Sequence, residues 1–205
     1  MIFGITWQGA IRTISQILSA GVAITAFSLL LYALAYNLHE RVVRAFILIL
    51  FCVTIVFTGE AIASVSEEMI IIQSMLRLKW VGIVLLPATY LHFSDSLLTL
   101  TGRPSRGRRK WTVRLVYVFS IFLIILVPTN ILVGPYVETS LPARHLQRTA
   151  VTSLFAIYYV GVMLVAGSIL YRAFQRTVTR TSRRRMVYLL AGATALLALS
   201  GVAAQ

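Results

Sequence analysis

Few side chains in this sequence have chemistry to offer, and those few sit in or beside long apolar runs. Glu60 lies near the end of one such run. As a carboxylate it either pairs with Arg77 or Lys79 beyond the following turn or forms the polar wall of a ligand pocket. His92 and Asp95 are three residues apart and share one helix face. A structural zinc ion takes four protein ligands and a catalytic one takes three. His39 and His145, the other histidines, fall in turns assigned to opposite sides, so His92 and Asp95 read as a polar contact between helices. Asp95 is placed to meet His92 or an arginine such as Arg41 or Arg103. Tyr158 and Tyr159 lie in a later apolar run, where a tyrosine either touches a ligand or simply sits near the membrane end.

Other chemistries are excluded by what the sequence lacks. It has no HExxH, no GxSxG and no P-loop. No carboxylates pair at mid-run for a proton relay. The only lysines, Lys79 and Lys110, are far from any run's centre, which leaves no Schiff-base site. The single cysteine, Cys52, permits neither an internal disulfide nor a cysteine-rich metal site. No cofactor and no metal are expected.

These residues are positioned by six apolar stretches: 17–36, 42–63, 80–101, 112–132, 152–174 and 186–204. Each approaches the ~20 residues that cross ~30 Å of hydrocarbon. Backbone polar groups in lipid must bond internally, so the segments are helices, and the alternation of a membrane barrel is missing. Composition agrees. Hydrophobic residues make up 59% of the chain and charged residues 12%, against about 25% charged in soluble domains. The net charge of +13 belongs to the turns of this bundle, and no basic soluble domain exists to hold nucleic acid. The expected fold is an all-α, polytopic transmembrane bundle forming one membrane domain over 1–205.

Basic residues alternate between turns. Three turns with their flanks carry fourteen: Arg41 and Arg44; Arg103 to Arg114; and Arg172 to Arg185. The other side carries five: Arg12, Arg77, Lys79, Arg144 and Arg148. The positive-inside rule then puts the N-terminus outside and the arginine-rich turns in the cytoplasm. The segment around Trp7 is expected at the interface, ahead of an uncleaved first span. The semi-polar stretch 64–79 either forms a short surface helix or extends its neighbours. The stretch 133–150, with Gly134, Pro135 and Pro142, is expected to be irregular and to serve as an outer cover. Pro87 and Pro128 fall inside spans, as hinges or as fixed packing features. An even number of spans leaves Gln205 outside with no polar flank, so the sequence is expected to be a fragment whose parent adds a seventh span and a cytoplasmic domain.

From Glu60 to Phe93 the chain reads through SEEMIIIQSMLRLKWVGIVLLPATYLHF. It resembles the N-terminal seven-helix membrane region of bacterial sensor histidine kinases. The likeness rests on a glutamate closing the second span and a basic-aromatic start to the third (Leu78, Lys79, Trp80, Val81, Gly82). It continues with mid-helix Pro87 and an aromatic phrase, Tyr90 to Phe93. The resemblance implies a sensory input module without kinase activity of its own, multi-pass in the inner membrane. Its partners would be the lipid bilayer, an unknown small ligand or membrane stimulus, and a second copy through a homodimeric parent. Candidate ligand contacts are Glu60, Trp80, Tyr158 and Tyr159. Candidate structural or hinge residues are Pro87, Pro128, His92 and Asp95.

Two other classes compete. A small transporter or channel subunit needs a polar midplane, and the span centres here are almost wholly apolar. A lipid-modifying enzyme needs a catalytic cluster at one depth, which is missing. The charge asymmetry makes a direct prediction. In a background lacking Cys52, an Arg108→Cys variant is protected from an impermeant thiol reagent in intact cells, while single cysteines within 137–148 are labelled. Labelling at position 108 would overturn the orientation.

Overall fold

A computed structural model describes residues 2–36, 39–101, 107–137 and 145–175. Among these residues the chain forms α1 (Ile2–Tyr36), α2 (Arg41–Val65), α3 (Met69–Leu100), α4 (Arg108–Leu126), β1 (Val133–Val137), β2 (His145–Arg148) and α5 (Ala150–Gln175). The expected all-α architecture holds, with a two-stranded antiparallel addition.

Among the described residues, four helices are long and apolar enough to cross a membrane: Thr13–Ala35 within α1, then Arg41–Val65, Met69–Leu100 and Ala150–Gln175. Six were expected. The predicted fourth span, 112–132, is instead α4, which begins earlier among four bases and stops at Leu126. The predicted sixth span, 186–204, lies outside the described residues. The segment around Trp7 is not separate from the first span, because α1 runs unbroken through both. At 1.5 Å per residue α1 is about 52 Å long, more than hydrocarbon alone accommodates.

Pro128 is not inside a helix. It lies in the turn 127–130 that ends α4. Proline offers no N–H to an i−4 carbonyl, and the chain tightens there into i−3 bonds, Val127 N–H to Ile124 O and Thr129 N–H to Leu126 O. Asn130 follows with φ 60°, a left-handed conformation that asparagine tolerates. Pro87, by contrast, stays fully buried within a continuous α3.

The stretch 64–79 extends both neighbouring helices, leaving only residues 66–68 between α2 and α3. Ile72 and Leu76 are buried at helical spacing, which accounts for the earlier start of α3. The stretch 133–150 is partly regular. β1 pairs with β2 in the register Tyr136 with Leu146 and Val137 with His145, with an irregularity between Val133 and Tyr136. That irregularity spans Gly134 and Pro135; a Cβ at Gly134 would lie 2.9 Å from Gln147 Cβ, and Pro135 has no N–H for a ladder.

The core is organised around α3, which packs on α2, α4, α5 and β2, while α1 packs on α2. From Leu86 to Leu91 every α3 residue is buried, as expected of a helix enclosed on all sides. The outward faces of α1, α4 and α5 expose large apolar side chains such as Phe27, Phe122 and Ile157, suited to lipid.

The α2–α3 seam is the tightest. A Cβ at Gly59 would stand 2.8 Å from Met75 O, and one at Gly82 would stand 2.7 Å from Val56 Cγ2 and 2.8 Å from Cys52 O. A backbone oxygen cannot swing aside like a side-chain tip. Gly59→Ala is therefore expected to destabilise the bundle by about 1–3 kcal/mol. Gly161→Ala in α5, where nothing lies within 4 Å, is expected to be neutral or stabilising. Unfolding of the purified variants in mixed micelles, followed by circular dichroism, checks the contrast.

Candidate functional site

The short α2–α3 connection runs the two helices antiparallel and brings Glu60 beside Lys79. Lys79 Nζ donates to Glu60 Oε2 at 2.5 Å, with side chains 16% and 19% exposed. The pairing with Lys79 is one of the two expected for Glu60. The other expected partner, Arg77, binds elsewhere. Its Nη2 donates to Asn130 Oδ1 at 2.6 Å and its Nη1 to Pro128 O at 3.4 Å, which ties α3 to the turn after α4. Gln16 Nε2 donates to Ser64 O at 3.0 Å and fastens α1 to the end of α2.

The entry to α5 closes the same end. Thr149 N–H donates to Thr152 Oγ1 (3.1 Å) and Thr152 N–H to Thr149 Oγ1 (3.3 Å). This is the reciprocal arrangement of a capping box, with threonine at the third position in place of glutamate. Both hydroxyls also donate to Leu132 O. Polar side chains at this end therefore join α1 to α2, α2 to α3, α3 to the turn after α4, and the segment before β1 to α5.

Just inside this collar lies an aromatic cluster. Trp80 meets Phe155 edge-on, with ring centroids 5.9 Å apart. Phe155 also meets Tyr158 at 6.1 Å and Tyr159 at 6.0 Å. Tyr158 packs on Phe119 at 4.6 Å, and its hydroxyl lies 3.4 Å from Ser120 Oγ and from Val116 O on α4. Three of the four candidate ligand contacts, Trp80, Tyr158 and Tyr159, thus converge. Glu60 joins them only through Lys79, the neighbour of Trp80. Phe155, the hub, was not singled out from the sequence. Its spacing of three and four residues from Tyr158 and Tyr159 was the available signal.

At the opposite end of α3, Asp95 Oδ1 lies 3.6 Å from Arg109 Nε. The contact is an ion pair too long for a hydrogen bond, and Asp95 Oδ1 has no hydrogen-bond partner among the described residues. Of the partners expected for Asp95, an inner arginine takes the ion pair, and it is Arg109 rather than Arg41; Arg103 lies outside the described residues. Arg109 wins because it falls on the stripe of α4 that continues into Val116, Ser120 and Leu123, all buried. His92 turns to α4 as well. Its Nδ1 is 3.2 Å from Tyr117 Oη, with the rings edge-on. Among the described residues, no three His, Cys, Asp or Glu side chains gather for a metal ion.

Lys79 and Asp95 are separated by about 24 Å along α3, so the two ion pairs bracket a mostly apolar middle. The arrangement holds helices together and offers an aromatic-lined, polar-rimmed end. The family model for the N-terminal 7TM region of histidine kinase matches residues 14–204. The chain belongs to this family. It is a membrane sensory input region of a histidine kinase, the sensor part of such proteins and not their catalytic domain. No curated protein matches the chain.

The ion pair at Asp95 has a measurable weight. Asp95→Asn removes the carboxylate charge that Arg109 faces across α3 and α4, and is expected to cost about 1–3 kcal/mol. Combining it with Arg109→Gln is expected to recover part of that loss. A double-mutant cycle on unfolding in mixed micelles reads the coupling; strict additivity would mean that the two charges do not interact.

Proposed function

We propose that this sensor region receives its stimulus at the end of the bundle bearing Glu60, Trp80, Tyr158 and Tyr159, and passes it along α3 to the arginine-rich end. The stimulus is a small ligand or a state of the membrane. The observation that carries the reading is that one helix holds both ends. Near its start, Lys79 pairs with Glu60 of α2 and Trp80 packs on Phe155 of α5. Near its finish, Asp95 pairs with Arg109 and His92 meets Tyr117, both on α4. A ligand that favours one position of α3 over another shifts the population only by its difference in affinity for the two. Separate polar ties at the two ends supply the contacts in which such a difference arises.

The orientation that fits places the N-terminus and the Glu60 end outside and the bases near Arg109 in the cytoplasm, by the excess of basic residues on that side. The region is taken as one membrane domain over 1–205 in an inner membrane, in a parent that works as a homodimer and carries its output in the cytoplasm. Pro87 lies between the two ends of α3 and lacks one backbone bond, which makes it the natural point of flexure. Pro128, held through its carbonyl by Arg77, would keep the turn after α4 in place. His92 and Asp95 serve as the fixed contacts through which α3 reports to α4.

Glu60→Gln in the full-length receptor is expected to leave membrane insertion intact and to move the midpoint or the basal level of the kinase response by roughly fivefold, the effect of losing about 1 kcal/mol of ion pairing. Wild-type output across the whole stimulus range, from a variant present in the membrane at normal levels, would reduce Glu60 to an interfacial anchor.

A further inference from the structure

The first two turns of α4 carry Arg108, Arg109, Lys110 and Arg114, with no acid in the first turn. Helix phase divides them. Arg109 lies on the buried stripe and pairs with Asp95. Arg108, Lys110 and Arg114 are exposed, and none has a carboxylate partner among the described residues. Trp111, 62% exposed, falls by helix phase opposite the buried stripe, between Arg108 and Arg114. The apolar face beyond it continues through Leu115, Val118, Phe122 and Ile125, all exposed. Such a face suits lipid, and three like charges stand at its rim.

Arg114 makes the case specific. Six residues beyond Arg108, it stands about 9 Å further along the helix, beside Leu115 and opposite no acid. Bases that only set topology have no need of this position, since a loop serves as well. A lipid-facing arginine at this depth must bend back to the headgroup level, where tryptophan also settles. An anion placed there meets the exposed bases, and its acyl chains run along the apolar face.

We propose that Arg108, Lys110 and Arg114, grouped about Trp111 on the outward face of α4, seat the phosphate of an anionic phospholipid. The site does not depend on the location of the stimulus. It is separated from Asp95 of α3 only by the thickness of α4, because Arg109, in the same turn, faces the other way.

The test titrates the full-length protein, in a neutral detergent, with phosphatidylglycerol or phosphatidylcholine and counts bound lipid by native mass spectrometry. Phosphatidylglycerol is expected to bind roughly tenfold more tightly than phosphatidylcholine or better. Affinity is expected to fall about thirtyfold in a Lys110→Gln, Arg114→Gln double variant, given about fivefold per base near a charged surface. Arg172→Gln, which removes an exposed base at the end of α5, is expected to leave it within about twofold of wild type on the same scale. Raised salt should weaken binding of phosphatidylglycerol and not of phosphatidylcholine, a measurement on the wild type that holds even if the double variant does not fold. Equal binding of the two lipids, an equal loss in Arg172→Gln, or displacement by equimolar inorganic phosphate would overturn the site.

Discussion

The close approach of α2 and α3 is the constraint on which the rest of this bundle depends. In hydrocarbon, helices gain little from burying apolar surface against each other, so small residues that let backbones meet become decisive. Gly59 and Gly82 supply that contact from opposite helices. Gly59 also sets the chemistry beside it: its missing side chain leaves room for Lys79, whose Cβ would lie 3.3 Å from a Cβ at position 59. Packing and ion pairing at this seam are thus one arrangement. Gln16 then hangs α1 on α2, and Arg77 fastens the turn after α4 to α3.

From that seam outward, α3 becomes the axis. Its first half is half-buried and carries the polar collar and Trp80. Its second half is enclosed, with Ser94 and Thr89 turned back onto the carbonyls of Tyr90 and Leu86. Such bonds let polar residues sit in a dry interior at little cost. Tyr90 is an exception, as is Asp95 Oδ1: the Tyr90 hydroxyl is buried with no hydrogen-bond partner among the described residues.

Much of this was legible in the sequence, because a run of apolar residues as long as a bilayer has few other uses. The runs that became α1, α2, α3 and α5 were plain, as was the turn of Glu60 toward a base beyond it. The start of α3 stayed open between a surface helix and an extension of its neighbours, because Glu67, Glu68, Arg77 and Lys79 masked the four-residue spacing of Ile72 and Leu76. Pro128 looked internal because the apolar run continues past it, and only the missing N–H ends the helix there. The partner of Asp95 was hidden for another reason: the bases near it are alike in kind. Only the phase of α4, carried back from its buried stripe, selects Arg109. Phe155 escaped attention because one phenylalanine among ten carries no mark of being a hub.

The shortness of α4 has a mechanical corollary. Past Arg114, its uncharged stretch runs from 115 to 126, about 18 Å of helix against ~30 Å of hydrocarbon. A crossing by α4 would need the turn at 127–130 and the buried Leu132 and Val133 to cover part of the deficit, and the lipid to yield the remainder. On this flank a crossing by α4 would draw the bilayer thinner than around α2 or α5, at a cost that rises with each ångström of mismatch. One abbreviated helix would then give the protein a preference for where in a heterogeneous membrane it resides.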